Sequence, residues 1–378
     1  MGSMIVPLRL RSTEHGRKVT WLELFFDLVF VAAVAQVASP LHETYAPSGV
    51  IRLTPLFALI WWAWTGTSVF ATRFDTDDVV QRILTLLQMF AVAIMAANAK
   101  DALDSQSSAG FAAAYAVVRL ILVAQYARAR AVPAARRLAT HYLTGHGGAA
   151  VLWLAAALVP APERFVVWIV AFGIDLGTPW LAVDHNVEVP PDASHLPERF
   201  GLFTLILLGE SVVALMRGIE SQENWPVEAV ASAFLGMSLL FVLWWWYFDG
   251  VGAVKEQPIR SHADAVRFHI WSYAHFPLSL GIVILGVGVE RSVTAAAHAR
   301  LSPTDISMMT AATAVIIAAT GLIAANGGHR RPARVADAAT FTAALGVAAA
   351  GMFAPASPPV WIIIGLFAVF GGLLGRHM

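Results

Sequence analysis

Two carboxylates lie four residues apart in WLELFFDLVF (residues 21–30), a stretch that is otherwise almost entirely apolar. On a helix this spacing places Glu23 and Asp27 on one face, one turn apart. Asp175 and Glu210 also lie well inside apolar segments. An ionised carboxylate at mid-membrane costs roughly 2.5–3.5 kcal/mol on insertion scales, so each side chain must face protein or water. Because such groups can pair with a cation or hold a proton, all four are candidates for an ion- or proton-binding site.

The same carboxylates could instead serve only to hold helices together. Arg119 lies within an apolar segment and could neutralise one of them. Polar side chains in other segments could donate hydrogen bonds to the rest, namely Gln36, Thr65, Ser68, Gln88 and Asn98. The presence of three or four such carboxylates, two of them in matching halves of the chain, favours a functional role.

A second acidic cluster lies in RFDTDDVVQR (residues 73–82), between two apolar segments. An aspartate at a helix start accepts backbone N–H bonds, which explains one of the three aspartates more readily than all three. Carboxylates also bind Mg²⁺, which can bridge to a diphosphate. Helix caps with salt bridges, a metal site and an ion vestibule are the alternatives. This predicted cytoplasmic mouth contains Arg73, Asp75, Asp77, Asp78, Arg82, Asp249 and Arg267, and its metal candidates are Asp75, Asp77, Asp78 and Asp249.

The segment HLPERFGLF (residues 195–203) adds three polar residues to the same mouth. Pro197 and Glu198 suit the first turn of a helix. Arg199 is then expected to snorkel towards the membrane surface. The alternative is that His195 relays protons into the helix that carries Glu210.

Composition defines the class of protein. Of the 378 residues, 58% are hydrophobic and 13% charged, against roughly a quarter charged in soluble domains. The mean hydropathy is +0.66. Zero net charge gives no reason to expect a nucleic-acid partner, and the absence of cysteine excludes thiolate metal sites and cysteine catalysis. We therefore expect a membrane protein whose main partner is the lipid bilayer.

The apolar segments predict an all-α, polytopic membrane protein of about twelve transmembrane helices, because only helices satisfy their own backbone in lipid at these lengths. The glycine run at residues 145–148 is interpreted as a turn before the fifth helix. The segments are 19–38, 50–71, 80–99, 109–127, 147–161, 164–183, 199–218, 227–248, 267–288, 305–324, 336–354 and 359–375.

Lysine and arginine are distributed unevenly between the two sides of this twelve-helix arrangement. Eighteen of the 25 fall on the side of the N-terminus and six on the other, with Arg119 inside a helix. Because cytoplasmic loops carry the excess of positive charge, we expect both termini in the cytoplasm and the chain in the inner (plasma) membrane.

The two halves of the chain resemble each other. LELFFDLVFVAAV (22–34) is similar to LFTLILLGESVVAL (202–215), and the tryptophan-rich WWAW (61–64) is similar to WWWY (244–247). An even number of helices per half would make the repeats parallel. We therefore expect two parallel six-helix repeats. The predicted domains are an N-terminal cytoplasmic segment (1–18), a first repeat (19–183), a cytoplasmic loop (184–198) and a second repeat (199–378).

Four blocks of sequence, in order along nearly the whole chain, resemble the bacterial low temperature requirement A family. They are WLELFFDLVFVAAVAQ (21–36), RFDTDDVVQRILTLLQMF (73–90), HLPERFGLFTLILLGES (195–211) and WWWYFD (244–249). This resemblance implies an integral inner-membrane protein and says little about its activity.

A fainter resemblance connects FFDLVFVAA (25–33) to the first helix of the endosomal and lysosomal potassium channel family, which also doubles a six-helix unit. Phe26 replaces the serine of that family's Phe-Ser-Asp segment, and Trp21 stands where an arginine is expected. The resemblance therefore supports the two-by-six arrangement and hints at ion permeation, without transferring a pore function.

The sequence thus predicts a membrane transporter or channel for a small solute or ion, with no cofactor, in which a homodimer is an option. The first alternative is an intramembrane enzyme that uses Mg²⁺ to act on a lipid or isoprenoid phosphate. The second is a non-catalytic scaffold or sensor of the response to cold.

Overall fold

The computed structural model of the chain describes residues 8–10, 20–75, 78–104, 107–222, 224–251, 259–295, 300–327 and 338–375. Helices form nearly all of this part, and the prediction of an all-α, polytopic membrane protein is confirmed. Every one of the twelve predicted segments coincides with a long helix. The helices are α1 (Trp21–Glu43), α2 (Pro47–Arg73), α3 (Val79–Ala97), α4 (Ser108–Ala129), α5 (Arg136–Leu158), α6 (Glu163–Leu181), α7 (Val183–Glu188), α8 (His195–Glu220), α9 (Val227–Trp245), α10 (His262–Ala295), α11 (Pro303–Asn326), α12 (Ala338–Met352) and α13 (Pro359–Gly375).

Nine of the described helices are long and apolar enough to cross a membrane: α1–α4, α6 and α8–α11, the span of α9 running on to Asp249. Helices α12 and α13 are apolar but have only 15 and 17 residues. Large apolar side chains point outward from these helices, as in Leu181 (79% exposed), Phe234 (72%) and Phe90 (65%). An outward-facing apolar surface of this kind is what a lipid environment requires.

The chain forms two compact units. The first comprises Met1–Ser39, Pro55–Arg199 and Glu256–His269; the second comprises Pro40–Thr54, Phe200–Lys255 and Ile270–Met378. In the first unit α4 packs along α5 and α3, and α5 packs along α6. In the second unit α11 packs along α12, and α9 along α13.

Short elements connect the helices. Strands β1 (Arg9–Leu10) and β2 (Phe74–Asp75) pair antiparallel, with Arg9 opposite Asp75. Trp246–Val251 form a π-helical turn directly after α9. The predicted loop 184–198 is partly helical, since it contains most of α7 and the start of α8.

The start predicted for the fifth helix, and the turn predicted at residues 145–148, are wrong. Helix α5 begins at Arg136 and runs through the glycines to Leu158. The reason is close packing against α6: a Cβ on Gly145 would lie 2.4 Å from Thr178 Oγ1. Glycine is therefore used at this position for helix contact, as is common in membranes.

Candidate functional site

Helices α1 and α8 bring Glu23, Asp27 and Arg199 together in the first unit. Arg199 Nη2 lies 2.7 Å from Asp27 Oδ1, and Arg199 Nη1 lies 3.6 Å from Glu23 Oε1. The two carboxylates, one helical turn apart, therefore share one guanidinium. Arg199 is only 1% exposed, so the expectation that it snorkels to the surface is wrong; its ion pair with Asp27 holds it inside the protein.

Asp27 is the deeper carboxylate of this cluster, at 1% exposure. Its Oδ1 accepts hydrogen bonds from Arg199 and, at 2.8 Å, from Trp64 Nε1 on α2. Arg199 also donates to Ser68 Oγ, at 3.2 Å. Asp27 Oδ2 is buried and has no hydrogen-bond partner among the described residues. Half of the acceptor capacity of this carboxylate is therefore unused.

Glu23 and His195 form the outer part of the cluster. The Glu23 side chain is 15% exposed, and its Oε2 lies 3.6 Å from His195 Nε2. The same oxygen accepts hydrogen bonds from the backbone N–H and the hydroxyl of Thr20, at 2.8 and 3.1 Å. Two carboxylates, one guanidinium and one imidazole therefore lie together in this cluster.

Asp192 fixes the start of α8, the helix that supplies His195 and Arg199. Its Oδ1 accepts hydrogen bonds of 2.9 Å from the backbone N–H groups of Ser194 and His195 and from the Ser194 hydroxyl. Burial raises the pKa of the Asp192 carboxyl, but these hydrogen bonds outweigh it and hold the pKa below its ordinary value. Asp192 therefore acts as an ionised cap, whose own backbone N–H donates to Thr72 O.

Asp175 has partners of its own, elsewhere in the first unit. Its Oδ2 lies 3.0 Å from Arg119 Nε, and its Oδ1 lies 2.8 Å from His146 Nδ1. Tyr115 donates to the same carboxylate at 3.4 Å. Asp175 and Arg119 are completely buried. The suggestion that Arg119 neutralises one intramembrane carboxylate describes Asp175 correctly. His146 was missed because the sequence interpretation placed it before the start of its helix.

Glu210 belongs to a cluster in the second unit. Arg217 Nη2 lies 3.2 Å from Glu210 Oε1, seven residues before it on α8. Arg217 Nε lies 3.6 Å from Glu290 Oε2 on α10, and His42 Nδ1 at the end of α1 lies 2.5 Å from the same oxygen. Two carboxylates again share one arginine and one histidine. Of these four residues, only Glu210 was predicted from the sequence as a candidate.

The ring of His42 lies between the charged groups of this cluster. Arg217 Nη2 lies 2.9 Å from its Nε2 and 3.4 Å from its Nδ1. The same Nδ1 lies 2.5 Å from Glu290 Oε2. His42 therefore connects Arg217 to Glu290.

At the predicted cytoplasmic mouth, Asp78 serves as a helix cap. It accepts from the backbone N–H of Gln81 at 2.8 Å and from Arg128 Nη2 at 2.6 Å. Arg267 pairs with Asp264 at 2.6 Å on the exposed start of α10. Arg82, Glu198 and Asp249 are exposed.

Two of the other aspartates proposed as metal ligands cannot be placed against Asp78. Asp77 and the side chain of Asp75 lie outside the described residues. Within the described part of the chain, no group of three or more histidine, aspartate and glutamate side chains could hold a metal ion. The described contacts of Asp78 thus give capping a physical basis, and the Mg²⁺ site stays a prediction.

The fold and these clusters define a polytopic, α-helical membrane protein with buried carboxylate–arginine pairs. Residues 18–374 match the family described as Bacterial low temperature requirement A protein (LtrA), and the chain belongs to this family. An uncharacterized protein of Rhizobium meliloti (strain 1021) is 28% identical over 299 residues, which cover 76% of this chain and 72% of that relative. No solved structure matches the chain.

Proposed function

We propose that this LtrA-family protein transports a small monovalent cation or protons across the membrane, with Glu23, Asp27, His195 and Arg199 as its binding cluster. The shared guanidinium is the observation that carries the proposal. A single arginine pairs with two carboxylates, and Asp27 keeps one buried oxygen without a described partner. That buried oxygen of Asp27 is where a transported cation or proton would bind.

Binding at Asp27 would compete with its ion pair to Arg199. A proton or cation on Asp27 removes the attraction for the guanidinium, which can then pair fully with Glu23, one turn towards the surface. Release of the cation restores the Asp27–Arg199 pair. The proposal therefore gives the cluster two charge arrangements, and exchange between them requires movement of one long side chain.

Transport is tested in proteoliposomes that contain the full chain, a trapped pH dye, and an imposed gradient of K⁺ or Na⁺. We expect wild-type protein to couple proton movement to one of these cations or to conduct one of them. Asp27→Asn, which removes the charge and keeps the shape, should lower the rate at least about 10-fold, because the amide no longer holds a proton or cation.

The matched control is Asp264→Asn, which changes an aspartate at the exposed start of α10. It should leave the flux unchanged. Thermal unfolding of each variant in detergent separates a lost site from a lost fold. Flux that persists at the wild-type rate in folded Asp27→Asn protein would contradict the proposal, as would a wild-type protein that moves none of the three cations.

A further inference from the structure

Arg73, at the end of α2 in the first unit, is a buried cation that the proposed transport cluster does not use. Its side chain is 2% exposed. Its Nη2 donates a hydrogen bond to Asn186 Oδ1 on α7, the hydroxyls of Tyr126 and Tyr142 also approach it, and its guanidinium lies 5.3 Å from the centre of the Tyr142 ring. Its Nε and Nη1 atoms are buried without hydrogen-bond partners among the described residues. No described carboxylate pairs with it.

This arrangement leaves Arg73 incompletely neutralised. A buried charge is costly unless it is paired and hydrogen-bonded. The C-terminal end of α2 contributes the equivalent of about half a negative charge, and the Tyr142 ring contributes a weaker attraction. Asn186 supplies a neutral dipole only. Together they reduce the cost without supplying a counter-charge.

The neighbouring carboxylate already has an arginine. Tyr142 lies 5.5 Å, ring to ring, from His146, which is held by Asp175. Asp175 in turn pairs with Arg119, whose Nη2 donates to Tyr115. Along this connected set of buried side chains there are two guanidinium groups and one carboxylate. The set therefore has an excess of one positive charge while His146 is neutral.

The walls around Arg73 are neutral and aromatic. Tyr126 stacks on Tyr142 at 4.9 Å, and His269 lies 5.0 Å from the Trp180 ring. His269 Nδ1 lies 2.6 Å from the Ala265 carbonyl oxygen, which fixes the proton on Nδ1, and its Nε2 lies 3.5 Å from Asn186 Nδ2. None of these groups carries a negative charge at neutral pH.

A hydrophobic cluster adjoins this region and keeps water away from it. Leu8, next to strand β1, belongs to the same buried cluster as Phe70, Phe74, Tyr126 and Tyr142. Strand β1 pairs with β2, which follows Arg73 directly in the chain. In such a dry environment an interaction between Arg73 and an anion is little weakened by solvent.

We propose that Arg73 anchors a binding site for a small monovalent anion, of the size of chloride or formate. Two donor atoms of the guanidinium, Nε and Nη1, provide the hydrogen bonds. The charge excess of one selects a monovalent ligand over a divalent one, and the close aromatic walls select a small one. The site is separate from the Glu23–Asp27 cluster and does not depend on the proposed cation transport.

The site is tested by thermal unfolding of the purified full chain in detergent, followed by tryptophan fluorescence. Chloride and formate are titrated against gluconate at constant ionic strength, so that only the identity of the anion changes. We expect a saturable rise in Tm of about 2 °C with the small anions, because a ligand that binds the folded state alone stabilises it. Sulfate should produce no saturable rise.

Arg73→Gln should abolish the anion-dependent rise in Tm. Arg73→Lys, which keeps the charge but loses the planar fork, should raise the half-saturating concentration about 10-fold. It also keeps the proposal testable if Arg73→Gln does not fold. The matched control is Arg164→Gln, since Arg164 is also buried but donates to the carbonyls of Ala156 and Val159, at 2.8 and 2.9 Å, and to Ser108. This control should keep the wild-type response.

Two outcomes would overturn the proposal. One is a wild-type Tm that is the same in chloride, formate and gluconate. The other is a rise that remains unchanged in Arg73→Lys or Arg73→Gln. Neither outcome bears on cation flux through the Glu23–Asp27 cluster, so the two proposals fail separately.

Discussion

At the scale of single residues, most of the buried carboxylates could be predicted, but among their arginine partners only Arg119 was recognised as a possible one. Asp27, Asp175 and Glu210 stand out because a carboxylate in an apolar segment has a known cost. The partner of Asp27 lies far away in sequence, since Arg199 is 172 residues from it, whereas Arg217 is only seven residues from Glu210. Nothing in the local pattern of Arg199 distinguishes a buried ion pair from a surface anchor, so only its contact with Asp27 decides between them.

The Arg119–Asp175 pair leads to a prediction about stability. Each single change, Arg119→Met or Asp175→Asn, leaves a buried charge without its partner, and we expect each to lower the free energy of unfolding by about 3–5 kcal/mol. The double variant removes both charges and should cost at least about 1 kcal/mol less than the sum of the two. Unfolding in detergent by increasing SDS or urea measures all three.

The comparison for this cycle is the Asp78–Arg128 pair, in which the Arg128 side chain is 21% exposed. The Asp78 side chain is 2% exposed but keeps its hydrogen bond from the Gln81 N–H, and Arg128 already meets water, so Arg128→Met should cost less than Arg119→Met. If the losses in unfolding free energy of the two single variants simply added in the Arg119→Met/Asp175→Asn double variant, the two groups would not interact as their 3.0 Å contact implies.

At the scale of elements, hydrophobic segments located the helices well and their limits poorly. The fifth segment was misjudged because glycines at 145, 147 and 148 look like a turn in sequence. The structure separates these glycines by their contacts: a Cβ would collide with Thr178 at Gly145 but meets nothing within 4 Å at Gly147. This distinction depends on the position of α6, which sequence composition does not specify.

These two glycines of α5 therefore predict opposite effects of the same substitution. Gly147→Ala should stabilise the protein by about 0.5–1 kcal/mol, because alanine restricts the unfolded chain and fits the helix. Gly145→Ala should destabilise it by about 1–3 kcal/mol through overpacking against α6. Combining Gly145→Ala with Thr178→Ala should restore part of the loss. Equal effects of both glycine substitutions on Tm would show that α5 and α6 do not pack this closely.

At the scale of the whole molecule, the fold class could be predicted because few backbone structures satisfy all their hydrogen bonds in lipid. Apolar runs of sufficient length must be helices, and twelve of them were found where the composition placed them. The division into two parallel six-helix repeats stays a prediction, as does the orientation in the membrane. Both depend on relations between distant parts of the chain, which the hydropathy pattern alone does not determine.

Orientation can be determined directly, because the chain contains no cysteine. Eighteen lysines and arginines on one side against six on the other predict cytoplasmic termini, which puts the end of α8 outside the cell and the start of α10 inside it. Glu220 and Arg260 are exposed at these two places. In intact cells a membrane-impermeant maleimide should label Glu220→Cys and should reach Arg260→Cys only after permeabilisation. The reverse pattern would mean that the protein has the opposite orientation, with both termini outside. Labelling of both cysteine variants in intact cells would contradict the prediction that α9 crosses the membrane between the two positions.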